Sequence, residues 1–232
     1  MADRDLRLVI FDFDGVITDS EPAHFEAFRR TLKSIGVNLS WEQYCNTYLA
    51  YTDQEASQLA LRQLGNDPSQ AEIDDLVAKK RLEFAKFLES HLKILPGVPE
   101  LLADLDKNQI PCGICSGAIR SEIEFVLRQT NLFEYFRFIV AADDIRRSKP
   151  NPEPYLLSMK IGREFCNHDK ELEPLECIAV EDSVGGICAA KAAGMVCVGV
   201  TNSYPADQIH QADVVVDELT VVNTDFLRRL VG

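Results

Sequence analysis

Six short apolar runs mark out this chain of 232 residues: 6–13 (LRLVIFDF), 110–115 (IPCGIC), 137–140 (RFIV), 177–180 (CIAV), 195–200 (MVCVGV) and 213–216 (DVVV). They are rich in Val and Ile and do not alternate polar with apolar, which suits parallel strands buried on both faces. Helix-period patterns stand between the later runs. Val98, Leu101, Leu102 and Leu105 form one stripe in 97–107, and Ile119, Ile123, Val126 and Leu127 another in 118–130. Asn151-Pro152 reads as a cap and first position for a helix over 152–163, and 183–193 is Gly- and Ala-rich. Strand and helix in alternation imply an α/β fold, a Rossmann-like doubly wound parallel sheet.

One stretch breaks the alternation. Between the first run and residue 96 only helical periodicity is found. Phe25, Phe28, Leu32 and Ile35 form one stripe; Ile73, Leu76, Val77, Phe84, Phe87 and Leu88 form another. Ser40 and Gln43 fit a capping box, and Asp67-Pro68 a helix start. Roughly 75 residues of helix is too long for a simple crossover. The expected organisation is an α/β core of 1–17 and 94–232 with a helical cap of 18–93, returning at Leu95-Pro96-Gly97.

The first apolar run ends in Asp12-Phe13-Asp14-Gly15. Side chains two apart on a strand point the same way, so Asp12 and Asp14 are placed to converge. Held close, they repel and shift each other's pKa unless a cation or proton relieves them. The plain alternative is an Asp-Gly turn with solvated carboxylates. Other run ends argue for more. Ser116 and Gly117 follow the second run, Lys149 follows the third ahead of Pro150, and Glu181 and Asp182 follow the fourth. In open α/β sheets ligands bind outside the carboxyl ends of the strands, and all these residues fall on that edge. Singly, Lys149 reads as a solvated lysine, Ser116-Gly117 as a turn and Glu181-Asp182-Ser183 as a helix cap. Four sets at matching positions point to a shared site.

Phosphoryl transfer suits these residue types. Asp12, Asp182 and Glu181 offer hard oxygen donors to Mg²⁺. Lys149 supplies a point charge, and Pro150 restricts its backbone. The Ser116 hydroxyl and Gly117 N–H can donate to a phosphate where strand gives way to helix. Catalysis would then rest on positioning and electrostatics.

Composition sets bounds on partners. With 24 Lys+Arg against 37 Asp+Glu, the formal net charge is -13. That disfavours nucleic acid, while local cations can still hold a small anion. No apolar run approaches about 20 residues, so no membrane span is expected. The charged first residues do not fit a secretory signal. Seven cysteines in no framework suggest reduced thiols and a cytoplasmic protein. Cys112 and Cys115 form a C-x-x-C inside a strand pattern, where i and i+3 face opposite ways, so no redox or zinc site is read there.

The motifs Asp12-Phe13-Asp14-Gly15-Val16, Ser116-Gly117, Lys149-Pro150 and Glu181-Asp182 make the chain resemble, over its whole length, a haloacid dehalogenase (HAD) superfamily hydrolase. The stretch from Phe11 to Glu21 is most similar to the β-phosphoglucomutase-like phosphatase branch. The resemblance implies that Asp12 is the nucleophile, forming an aspartyl-phosphate. Asp14 would be general acid and then base, and its carbonyl would meet Mg²⁺. Asp182 with Glu181 would complete the metal site, while Ser116, Gly117 and Lys149 would hold the phosphate. The inserted helices would be the family's cap, a lid that excludes water. Asp14 argues against the dehalogenase and phosphonate-hydrolysing branches and suits a leaving alkoxide.

A small phosphorylated metabolite, such as a sugar phosphate, is the implied substrate, and a monomer is expected. Mutases of this type are expected to carry a basic cap residue where the stretch Tyr48–Asp53 here has Thr52 and Asp53, which favours a phosphatase over a mutase. Lys79, Lys80 and Arg81 offer a substitute charge for the mutase reading; their plainer reading is a solvated helix face. His24 reads as structural or a modest contact. A non-catalytic phosphate binder is the third alternative, which two retained aspartates disfavour.

Overall fold

The computed structural model describes residues 4–48, 51–65, 67–166 and 171–232, with the backbone alone for 88–91. The chain divides into two compact units, Met1–Asp19 with Lys93–Gly232, and Ser20–Leu92. The boundaries read from the sequence stood at 17/18 and 93/94.

The first unit begins with β1 (Leu8–Phe11), fully buried. The strand is shorter than the apolar run, so Asp12 and Asp14 lie in the turn beyond it rather than on the strand. Ladder bonding still reaches Asp12, whose N–H donates to Val180 O at 2.9 Å.

The second unit holds α1 (Glu21–Lys33), α2 (Trp41–Gln43), α3 (Asp53–Gln63) and α4 (Gln70–His91), with a π-turn at Tyr44–Tyr48. Ser40 and Gln43 form the expected capping box. The start of α4 is corrected by two residues. Ser69, not Asp67-Pro68, is the cap, because Ser69 and Glu72 exchange reciprocal bonds. Phe28, Leu32, Leu76, Tyr44 and Tyr48 share one apolar cluster, with Phe25 and Ile35 packed against it. Ile73, Val77 and Phe84 are also buried. The Leu88 side chain lies outside the described residues.

The chain returns to the first unit beside its point of departure. Leu95 N–H donates to Ile17 O at 3.0 Å, and Thr18 Oγ1 to Lys93 O at 3.0 Å. There follow α5 (Val98–Lys107), β2 (Cys112–Cys115), α6 (Arg120–Gln129), β3 (Phe136–Val140), α7 (Glu153–Gly162), β4 (Cys177–Glu181), α8 (Val184–Ala192), β5 (Val196–Val200), β6 (Val214–Val216) and α9 (Thr224–Val231). At α7 the expected cap shifts by one residue. Pro152 is the N-cap, and the Asn151 side chain accepts from Glu153 N–H at 3.0 Å.

All strand pairings are parallel, in the order β3-β2-β1-β4-β5-β6. This is the Rossmann-like doubly wound parallel sheet that the alternation implied. The order reverses between β1 and β4, so the carboxyl ends of these two strands frame the crevice where such sheets bind ligands. α7 packs on β1, β2 and β3, and α8 on β4 and β5. Leu8, Ile10, Phe138, Val140, Tyr155, Ala179 and Ile187 belong to one buried cluster. Among the described residues no helix is long and apolar enough to cross a membrane.

Candidate active site

Asp12 stands just past β1 and Glu181 ends β4, its neighbour in the sheet. Register pairing of Phe11 with Val180 therefore brings Asp12, Glu181 and Asp182 together. One carboxylate oxygen from each lies within 4.8 Å of the others. Asp12 is 9% exposed, Asp182 3% and Glu181 0%.

The loop after β3 delivers Lys149 into this cluster. Its Nζ donates to Asp12 Oδ1 at 2.8 Å, to Cys115 O at 2.8 Å and to Glu181 Oε1 at 2.6 Å. An ammonium has three donors, and all three are used. Burial opposes its charge, but Asp12 and Glu181 outweigh that and hold the ammonium well above its ordinary pKa.

The carboxyls move the other way. Burial raises Asp12 well above the usual carboxylate range; Lys149 opposes this, and Glu181 and Asp182 add to it. Burial and Glu181 push Asp182 up to about 7, with Ser203 and Lys149 opposing and Asp14 adding. Three buried carboxylates against one ammonium leave negative charge uncompensated. The donor set is all hard oxygen. A divalent cation of the Mg²⁺ type fits it in charge and chemistry.

Asp14 is near enough to raise the Asp182 pKa, but its carboxylate is not part of the close cluster among the described residues. Ser116 follows β2, is 3% exposed, and accepts from Ala118 N–H at 3.0 Å. Gly117 is exposed, and a Cβ there would meet nothing. The helix after them starts only at Arg120 with Ile119 as its cap, so Ser116-Gly117 form a loop ahead of the helix rather than its N-terminus.

Several side chains at the site were not singled out in the sequence. Tyr155, buried in the first turn of α7, donates to Glu181 Oε1 at 2.7 Å. Ser183, read in the sequence only as a helix cap, does cap α8, and it also donates to Glu181 Oε2 at 3.2 Å. Past β5, Ser203 donates to Asp182 Oδ2 and Asn202 donates to Gly15 O at 2.7 Å. A signal for the last two existed, because the loop after a fifth parallel strand falls on the same sheet edge.

Cys112 and Cys115 are buried and free, and burial pushes their thiols up to about 12 and about 11.

In the helical unit one expectation is corrected. Lys80 is not on a solvated face: it has no exposed surface. Its Nζ lies 2.8 Å from Asp53 Oδ1 and 2.7 Å from His24 Nδ1, between the rings of Phe28 and Phe84. Lys79 does lie on the exposed face, paired with Asp75, and Arg81 is exposed. Thr52 caps α3 through Glu55. Residues 49 and 50 of the Tyr48–Asp53 stretch lie outside the described residues. Burial and the Lys80 charge hold His24 well below its ordinary pKa, which makes it a neutral acceptor.

The parallel doubly wound sheet thus carries this carboxylate–lysine cluster at its switch point, where open α/β sheets bind their ligands. The family model for haloacid dehalogenase-like hydrolases matches residues 9–200. Hexitol phosphatase B of Escherichia coli (strain K12) is 31% identical, over 83% of this chain and 82% of that protein. Validoxylamine A 7'-phosphate phosphatase of Streptomyces hygroscopicus subsp. limoneus is 28% identical, over 93% and 95%. The crystal structure of β-phosphoglucomutase from Clostridium difficile superposes with a TM-score of 0.82 at 26% identity, covering 97% of each chain. The chain belongs to the haloacid dehalogenase-like hydrolases, and it is an enzyme of the phosphatase type.

Proposed function

We propose that this protein hydrolyses the phosphate monoester of a small metabolite such as a sugar phosphate, with Mg²⁺, through an aspartyl-phosphate on Asp12. The observation that carries this reading is the Lys149 ammonium bridging Asp12 and Glu181 beside Asp182. Asp12, Asp182, Glu181 and the Asp14 carbonyl would hold the ion, which supplies charge to offset the phosphate oxygens. Asp12 attacks phosphorus, and the bond to the ester oxygen breaks. Asp14 gives the departing alkoxide its proton. Asp14 then takes a proton from water, whose oxygen attacks phosphorus and frees Asp12 and inorganic phosphate. Lys149, the Ser116 hydroxyl and the Gly117 N–H steady the phosphoryl oxygens.

The helical unit is assigned as the cap of this enzyme. A phosphatase is favoured over a mutase because Thr52 is used in capping and Asp53 is paired with Lys80, which leaves that cation committed. The mutase reading draws on the likeness to β-phosphoglucomutase. The free buried thiols suit a reducing, cytoplasmic setting.

Asp12→Asn is expected to abolish p-nitrophenyl phosphate hydrolysis while the melting curve is retained; persistent turnover would remove the nucleophile assignment. EDTA is expected to stop turnover and Mg²⁺ to restore it. Glucose 1-phosphates followed by NMR with a bisphosphate activator separate the two readings. Isomerisation outpacing phosphate release would favour the mutase.

A further inference from the structure

Tyr155 is fully buried, and its hydroxyl reaches Glu181 Oε1 at 2.7 Å. Lys149 donates to that same oxygen at 2.6 Å. The Lys149 Nζ also stands 5.0 Å from the Tyr155 ring centroid. One side chain therefore touches both members of the pair. The remaining Glu181 oxygen is held by Ser183.

The Lys149 ammonium has no spare donor. To meet a phosphoryl oxygen it must release one of its three acceptors. Cys115 O is fixed in β2, and Asp12 is the attacking group. How firmly Glu181 grips the ammonium decides how readily the third donor comes free. A hydroxyl that shares Glu181 Oε1 draws negative charge from that grip and fixes where the carboxylate sits.

We propose that Tyr155 is a positioning residue for phosphoryl binding. Its hydroxyl divides Glu181 Oε1 with Lys149, which keeps the ammonium centred over Asp12 and able to turn one donor to a phosphate oxygen. This rests on the assignment of Lys149 to the phosphoryl group. Without the hydroxyl, Lys149 is drawn onto Glu181 and phosphate binding weakens.

The test measures inorganic phosphate affinity by calorimetry on the Mg²⁺-supplemented full chain. Tyr155→Phe keeps the ring and is expected to weaken phosphate binding about tenfold, on the scale of a hydrogen bond to a charged group. In a Glu181→Gln background the same change is expected to alter affinity less than twofold, because Tyr155 acts through Glu181. Fluorotyrosine at 155 preserves fold and hydroxyl and donates more strongly, so it is expected to tighten phosphate binding and covers the case in which the Phe variant does not fold. Wild-type affinity in Tyr155→Phe, an equal loss in both backgrounds, or no change with fluorotyrosine overturns the proposal. Unchanged affinity in Lys149→Ala would instead remove the phosphoryl role of Lys149 itself.

Discussion

The Lys80 ammonium, without exposed surface, lies 2.8 Å from Asp53 Oδ1. An acid at the head of α3 and a base in the middle of α4 thus neutralise each other inside the helical unit. Asp53, which stands where a mutase is expected to carry a basic residue, is thereby committed to Lys80.

Removing the partly exposed Asp53 strands the buried Lys80 charge. Asp53→Ala is expected to destabilise the protein by about 3 kcal/mol. Lys80→Met added to it should recover most of that loss, since the uncompensated ammonium is gone. Urea melts of the two variants decide this; equal midpoints for single and double variants contradict it.

His24 accepts from Lys80 at 2.7 Å and stacks on Phe84. Its folded pKa is depressed, so the unfolded chain binds the proton first. The contribution is present above the ordinary value of 6.5 and is lost as pH falls below it towards the folded pKa. The slope in that window reaches up to about 1.4 kcal/mol per pH unit for one group. His24→Asn keeps an acceptor and cannot titrate. It is expected to flatten the dependence of stability on pH below 6.5, read as denaturation midpoints across pH.

Two neighbouring glycines in α8 make a matched pair. A Cβ at Gly186 would overlap the Glu181 carboxylate, whereas one at Gly185 would meet open space. Gly186→Ala is expected to displace Glu181 and cut phosphatase activity at least tenfold, about the 1.4 kcal/mol step in a barrier. Gly185→Ala is expected to leave activity alone and stabilise the helix by up to about 1 kcal/mol. Comparable activities in the two variants would contradict the packing.

Gly15 has φ +75°, and a Cβ there would overlap Asp182 Oδ2 and crowd Ser203. Gly15→Ala therefore meets both backbone strain and a collision at the carboxylate cluster. The expected result is lower thermal stability together with weakened Mn²⁺ binding, followed by electron paramagnetic resonance.

Cation binding itself has a stability signature. Mg²⁺ at a hundredfold excess over its Kd should add about 2.7 kcal/mol to unfolding free energy. Asp182→Asn removes one of three clustered carboxylates and is expected to erase most of that gain. A shift of the melting temperature equal to wild type in this variant would place the cation elsewhere.

The strands and their motifs were legible because buried parallel strands carry continuous Val/Ile runs and end at polar residues. Lys80 was misread as part of a charged triplet. Its spacing from Ile73, Val77 and Phe84 already put it on the apolar stripe of α4, and that periodicity outweighs the charge of its neighbours. Tyr155 was missed because a tyrosine near a helix start reads as core, which it also is; only tertiary packing reveals the hydroxyl's partner. The place of Ser203 and Asn202 after a fifth Val-rich run put them on the same sheet edge, but their particular partners, Asp182 and Gly15, follow only from tertiary packing.

The pairing of Phe11 with Val180 also fixes an order of events. During synthesis Asp12 emerges early, but its partners Glu181 and Asp182 come only after the whole helical unit and β2 and β3. The helices of Ser20–Leu92 are contiguous and can gather before that. The chemistry cannot: until β4 inserts beside β1, no fragment holds more than one of the three carboxylates in place. Long-range parallel pairing is slow to form. A nascent chain thus lacks the assembled site until late, and a truncation ahead of Cys177 leaves β1 with an open edge.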